Sequence, residues 1–323
     1  MKFTTFTAAA VATVMGTTAF AQDITLRYAI QNPESHVSAK AAMEFDRVLR
    51  EETDGEMGIQ LFAGGQLGGV KDVIQSVQLG AIDMTIVRPG HVADLGATEF
   101  NALSMPYIFS DDEHQDAVLF GDVGERILAT LESIDIKGVG FYRDLPRHFF
   151  FTDTAVTEIA DMEGLKLRSL TSELAVDTIA AVGAAPTPMP FSELYGALQS
   201  GVVDGGDQPI TGFAAQRYQE VAKHIILDGH DASPLIVLMS KRTWDGLNEA
   251  QQAAVMTAQD AAANIFVQIN DESVGALTEE LTAAGVTIVP VEDKTPWQEA
   301  TAHLIDEYGA DFPDLIEAIR AAD

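Results

Sequence analysis

The chain has 323 residues, 47% of them hydrophobic and 21% charged, with 26 glycines and 12 prolines. That is enough apolar material for one large or two medium cores, and it excludes a disordered or fibrous chain. Lys and Arg number 19 against 49 Asp and Glu, a net charge of −30, so long-range repulsion excludes nucleic acid as a partner. The absence of cysteine removes disulfides, thiolate metal sites and cysteine nucleophiles.

Residues 1–21 read as a signal peptide. Lys2 supplies the positive end, an apolar stretch runs from about Phe6 to Met15, and Ala19-Phe20-Ala21 is a small-x-small cleavage site. Cleavage before Gln22 removes a cation and no anion, so the mature chain is more acidic still. No later stretch reaches the ~18–20 apolar residues of a membrane span. The expected product is soluble, exported and periplasmic.

Strand and helix patterns then alternate. Ile24 to Ile30 has the period of a strand, and Ala41, Phe45, Val48 and Leu49 line one helical face. Met57 to Phe62 predicts a second strand. Val70, Val73, Ile74 and Val77 predict a second helix stopped at Gly80, and Met84 to Val87 a short buried strand. From about Gly138 the grammar restarts. Strands are predicted over 139–142, 165–170, 186–189, 202–205 and 224–227, with helices over 172–182, 192–200 and 210–222. The tail is helical from Thr243 to about Ala284, followed by a strand over 286–291 and a final helix. Short links between strand and helix predict right-handed crossovers and a largely parallel sheet.

One pattern occurs twice. Gln78-Leu79-Gly80-Ala81-Ile82-Asp83 and Gln199-Ser200-Gly201-Val202-Val203-Asp204 both run from a helix end through a Gly stop to Asp, and then to Arg88-Pro89 and Gln208-Pro209. Either the match is chance, or two similar lobes each deliver a polar residue from the carboxyl end of an equivalent strand. Open parallel sheets bind ligands at those ends.

Catalytic signatures are missing. There is no G-x-x-x-x-G-K-[ST] loop, G-x-S-x-G elbow, H-E-x-x-H or S-x-x-K, and the seven histidines never pair at metal-ligand spacing. No enzyme activity, cofactor or metal is therefore expected. The glycines of residues 64–69 precede a helix and form either an anion nest or a tight turn. Cations at strand ends carry more information in so acidic a chain. Arg168, near the end of a strand whose leucines face the other side, needs a partner, and its planar fork matches a carboxylate. Arg147, before the aromatic run of residues 149–151, and Arg88, from the other lobe, are further candidates. For each, the alternative is a structural ion pair.

Leu198-Gln199-Ser200-Gly201-Val202-Val203-Asp204-Gly205 and Gly164-Leu165-Lys166-Leu167-Arg168 resemble motifs of the extracytoplasmic solute receptors of tripartite ATP-independent periplasmic (TRAP) transporters. Gly65-Gln66-Leu67-Gly68, Met105-Pro106-Tyr107-Ile108-Phe109 and Phe191-Ser192-Glu193-Leu194-Tyr195 extend the resemblance over the mature chain. It implies an α/β, two-lobed periplasmic-binding-protein-like (type II) fold with cross-over strands and long C-terminal helices. Lobe I would comprise residues 22–144 and 234–273, and lobe II residues 145–233 and 274–323. It further implies a monomer that delivers a small carboxylate to the small and large transmembrane subunits of a permease.

By the same resemblance Arg168 clamps the ligand carboxylate, Arg147 assists, and Phe191 packs on the ligand body. Gln208 stands where Asn is usual. Ligand identity would be set from the first lobe by His36, Lys71 and Arg88, with His230 and Asp231 available for hydroxyls. Several cations among hydroxyl-binding groups suit a sugar acid: a uronate, aldonate or keto-sugar acid. The alternatives are a four-carbon dicarboxylate, with Arg88 or Lys71 on the second carboxylate, and a periplasmic sugar-acid lyase using His36 or His230. With tryptophan only at Trp244 and Trp297, an aromatic cage for a quaternary ammonium is disfavoured.

Overall fold

A computed structural model describes residues 24–322, so the expected signal peptide lies outside the described residues. Strand β1 (Ile24–Ala29) leads to helix α1 (Val37–Glu52), which buries Ala41, Phe45, Val48 and Leu49. Strand β2 (Met57–Phe62) and helix α2 (Val70–Gln78) follow, with Gly80 in the left-handed conformation at φ 72° just beyond the helix. Strand β3 (Met84–Val87) gives way to three helices not predicted above: α3 (Pro89–Ala93), α4 (Asp112–Phe120) and α5 (Asp122–Thr130). Strand β4 (Ile136–Tyr142) completes this part.

The chain then crosses to a second sheet. It contains β5 (Arg147–Phe151), β6 (Lys166–Ser169), β7 (Ala185–Pro188), β8 (Gly205–Gln208) and β9 (His224–Asp231), with helices α6 (Glu173–Ala181), α7 (Leu194–Ser200) and α8 (Ile210–Ala215). It returns through β10 (Leu235–Ser240), α9 (Lys241–Gly246) and α10 (Glu249–Ala283). Strand β11 (Thr287–Pro290) and helices α11 (Thr295–Thr301), α12 (His303–Tyr308) and α13 (Pro313–Arg320) close the chain. The two sheets have orders β2-β1-β3-β10-β4 and β11-β9-β5-β8-β6-β7.

The expectation of a largely parallel sheet needs correction. β10 runs antiparallel to β3 and β4, and β5 antiparallel to β8 and β9. The reason is the crossing itself. The parallel strands of both sheets end at the cleft, so β4 leaves its sheet there and β5 must enter the other from its cleft edge; β9 and β10 repeat this in the opposite direction. No helical crossover intervenes to turn the chain round.

Two predicted boundaries also move. The apolar pair Val202-Val203 is a turn rather than a strand: Gly201 is left-handed, Val202 N–H donates to Ala197, and β8 begins only at Gly205. The helix predicted over 210–222 stops at Ala215, because Arg217 is left-handed (φ 58°) and a tight 3-10 turn over Tyr218–Glu220 replaces it.

The repeated pattern has a structural counterpart. Asp83 Oδ2 accepts from the backbone N–H of Arg27 at 2.8 Å, and Asp204 Oδ2 accepts from that of Lys166, also at 2.8 Å. Each carboxylate thus ties the approach to one strand (β3 or β8) onto its parallel neighbour (β1 or β6). Arg88, just past the end of β3, and Gln208, the last residue of β8, both line the same cleft.

The C-terminal helices stitch the halves together. Over about 52 Å, α10 puts Val255, Ala258 and Phe266 into one core of the first lobe, and Leu281 among Phe150 and Phe213 in the second. Its start is a capping box in which Asn248 accepts from Gln251 N–H and Gln251 from Asn248 N–H. Trp297 packs with Phe149 and Phe151 of the second lobe. The segment expected to remain there does not: Leu304, Leu315, Ile316 and Ile319 join Ala29, Phe141 and Ile236 around the first sheet. There α13 packs against α5 and the 3-10 turn Thr98–Ser104. Among the described residues, no helix is long and apolar enough to cross a membrane.

Candidate ligand-binding cleft

The cleft between the strand ends holds a cavity of about 300 Å³. Arg168, Arg147, Gln208, Phe191, Arg88, His36 and Lys71 all line it, although they come from separate elements of both lobes. Asp231 does not, and the expectation for it is corrected. Its Oδ1 accepts from the backbone N–H of Ser233 at 2.6 Å, bracing the turn between β9 and β10.

Arg168 stands apart from the other cations. Its side chain is only 3% exposed, and Nε and Nη2 donate to the Met189 carbonyl at 3.3 and 3.2 Å. The guanidinium lies 5.7 Å from the centre of the Phe191 ring. It forms no ion pair among the described residues. Burial pulls its pKa down to about 10, only partly offset by the more distant Asp207. An arginine this deep still carries its proton at neutral pH, so its charge calls for an anion.

The neighbouring cations already have partners. Arg147 Nε reaches Asp207 Oδ2 at 2.5 Å and Asp231 Oδ2 at 3.7 Å, and Nη2 donates to the Asp207 carbonyl at 2.7 Å. Burial opposes that charge, but the carboxylates outweigh it and raise the pKa. Arg147 thus lines the cavity with its charge already met by Asp207 and Asp231. Arg88 Nη2 pairs with Asp144, and Nη1 donates to the Ser233 carbonyl at 2.6 Å. Lys71 is half exposed and 3.5 Å from Asp94.

Two neutral groups complete the expected set. His36 caps α1: its Nδ1 accepts from Ser38 N–H at 3.1 Å, which places the ring proton on Nε2. Burial lowers its pKa to about 4, leaving it uncharged at neutral pH. The Gln208 side chain is nearly buried, and its amide makes no hydrogen bond within the described residues, so it is free to serve a ligand.

Sequence reasoning missed Asp144 and gave His230 a different role. Asp144 is 3% exposed, pairs with Arg88 and accepts from Asn270 Nδ2 of α10 at 3.2 Å. Behind Arg147, His230 is stacked on Phe149 with ring centres 4.0 Å apart. Its Nδ1 lies 2.6 Å from Asp228 Oδ2 and its Nε2 3.5 Å from Asp207 Oδ2. Burial disfavours an imidazolium there, yet Asp228 and Asp207 overrule it and raise the pKa to about 10. The Asp207 carboxyl is likewise held well below the usual range by Arg147 and His230, against the effect of burial. His230 does not line the cavity. Also unforeseen was His91, which does. The available signals were an acid before Pro146 for Asp144, and a second polar residue just after the Arg88-Pro89 pair for His91.

Two lobes hinged by paired crossings, with charged and polar groups from both facing one cavity, define a solute-binding receptor of the periplasmic type. The chain belongs to the family described as bacterial extracellular solute-binding protein, family 7 (DctP), which matches residues 28–311. It is similar to a TRAP periplasmic solute-binding protein from Xanthobacter autotrophicus Py2 with bound β-D-galacturonate, at a TM-score of 0.88 and 31% identity, covering 92% of this chain and 100% of that one. It is 30% identical to the 2,3-diketo-L-gulonate-binding periplasmic protein YiaO of Escherichia coli K12, over 92% of this chain and 91% of that protein. It is 29% identical to the C4-dicarboxylate-binding periplasmic protein DctP of Rhodobacter capsulatus, over 98% and 96% respectively.

Proposed function

We propose that the protein is a periplasmic receptor that captures a sugar acid by lobe closure and hands it unchanged to the membrane subunits of a TRAP transporter. The observation that carries this reading is Arg168, buried in the cleft with the Met189 carbonyl as its hydrogen-bond partner and no ion pair among the described residues. In this reading Arg168 grips the ligand carboxylate bidentately. Gln208 donates its amide to the same end, and Phe191 covers the C–H face of the sugar. Arg147 shapes the floor, and His36, Arg88 and Lys71 meet the hydroxyl-bearing end from the first lobe. The hinge lies at residues 143–146 and 232–234.

Each charge-assisted hydrogen bond contributes about 1.5–3 kcal/mol net. Two or three of these, with several hydroxyl contacts, reach the ~8 kcal/mol of micromolar binding. Closure follows because the ligand touches both walls only when they approach, which gives it differential affinity for that state.

The test is calorimetric titration of the mature protein with D-galacturonate, D-glucuronate and D-gluconate. At least one should bind, and Arg168→Ala should weaken it at least ~100-fold while the melting curve of the free protein stays cooperative. Unchanged affinity would remove Arg168 from the site. A second reading, a four-carbon dicarboxylate, is favoured by the half-exposed Lys71 ammonium, which Asp94 meets only at 3.5 Å. Binding of succinate or malate, with none of the sugar acids, would establish it instead. Mass spectrometry of the recovered ligand separates receptor from lyase: an altered mass defeats the receptor reading.

A further inference from the structure

The residue just past the first-lobe strand end has no assigned part in the site. His91, in α3, is 9% exposed and lines the cavity, yet its Nδ1 is buried without a hydrogen-bond partner among the described residues. Burial, together with Arg168, Arg88 and Lys71 around it, lowers its pKa to about 3, so the ring is uncharged at neutral pH. That matters for the chemistry of the cavity. Arginine and lysine only donate, whereas an uncharged imidazole offers one donor and one acceptor. A hydroxylated ligand presents both kinds of group, and the cations around Arg168 satisfy only one of them.

Position adds a second argument. His91 lines the same cavity as Arg168 and Arg88, so its ring faces the space that a ligand held by Arg168 would fill. Its neighbour Gly90 approaches the second lobe so closely that a Cβ there would stand 2.7 Å from Ser172 Oγ. The lobes thus meet beside the cavity, next to its lining residues His91 and Thr171.

We propose, on the sugar-acid reading above, that His91 is a specificity-determining residue whose imidazole hydrogen-bonds the oxygen on the carbon next to the ligand carboxylate. Ligands with an oxygen at that carbon gain a contact that exists only in the closed receptor. Acids that lack it forfeit the contact and leave a buried polar ring without a partner, which is a stronger penalty than a lost surface bond.

The experiment titrates wild type, His91→Phe and His91→Gln with D-galacturonate, D-gluconate and 2-deoxy-D-gluconate, with a thermal melt of each free protein. The expected result is a ~10–100-fold loss of galacturonate and gluconate binding in His91→Phe. Binding of the deoxy acid should stay within about threefold of wild type, and His91→Gln should recover part of the loss. A Phe variant that binds all three like wild type, or weakens all three equally, overturns the assignment of His91 and leaves the sugar-acid reading standing. If wild type binds none of the three, that reading falls, and the role of His91 falls with it.

Discussion

The two arginines on the second-lobe wall sit in one sheet and face one cavity, and they differ in a single respect. Arg147 is neutralised by Asp207 and Asp231, whereas Arg168 forms no ion pair among the described residues and donates to the Met189 carbonyl. The first-lobe wall resembles Arg147, since Arg88 is met by Asp144 and Lys71 by Asp94. What decides whether a buried cation builds the molecule or serves a ligand is therefore its partner, not its residue type or depth. A paired cation stabilises the fold around it; an uncompensated one costs stability unless an anion arrives.

The contrast can be broken by swapping roles. Arg147→Met should destabilise the free protein by about 3–5 kcal/mol in denaturant unfolding, because Asp207 is left buried without its main partner. Arg168→Met should leave that stability unchanged or raise it, since a desolvated charge is removed. Equal losses in both variants would mean that Arg168 is structurally paired after all.

The next effect is one of pH. His230 has a folded pKa raised to about 10 from an ordinary value near 6.5. Its contribution to stability is thus complete below about pH 6.5 and is lost as the pH rises towards 10. The unfolding free energy of wild type should fall across that window, and His230→Gln should be less stable at pH 6 with a flatter profile above it. A wild-type profile without that slope would show that the imidazolium between Asp228 and Asp207 is not formed.

The smallest expected effect tests the contact between lobes. Gly90→Ala places a methyl against Ser172 and should weaken ligand binding by about 1–3 kcal/mol, the usual cost of overpacking, with the free protein's melt unchanged. Adding Ser172→Gly should restore part of the affinity. No recovery would mean that the strain lies within the first lobe instead.

Much of the fold was legible because its signals are local. The apolar face of α1, the Gly80 and Gly201 stops and the two Asp-bearing turns are each written within a few residues. The entering strands β5 and β10 were not read, since a continuous apolar run has no period to separate strand from helix. Arg168 was legible from its position near a strand end. The fates of Arg147 and Arg88 were not: their partners Asp207 and Asp144 lie 60 and 56 residues away, and only the folded sheet brings them together. His230 was misread in part for the same reason: Asp228 is two residues away on its own strand, but Asp207 comes from β8 and meets it only in the folded sheet.

The helix that enters both cores has a mechanical meaning. Because α10 is anchored by its own Phe266 in the first lobe and its Leu281 in the second, neither half can be cut out as a continuous piece of chain. The molecule should melt in a single step, and a solute docked at its mouth should protect regions far from the mouth. Opening and shutting then flex one shared rod instead of swinging two independent bodies, so the stiffness of that rod sets how readily cargo is let go.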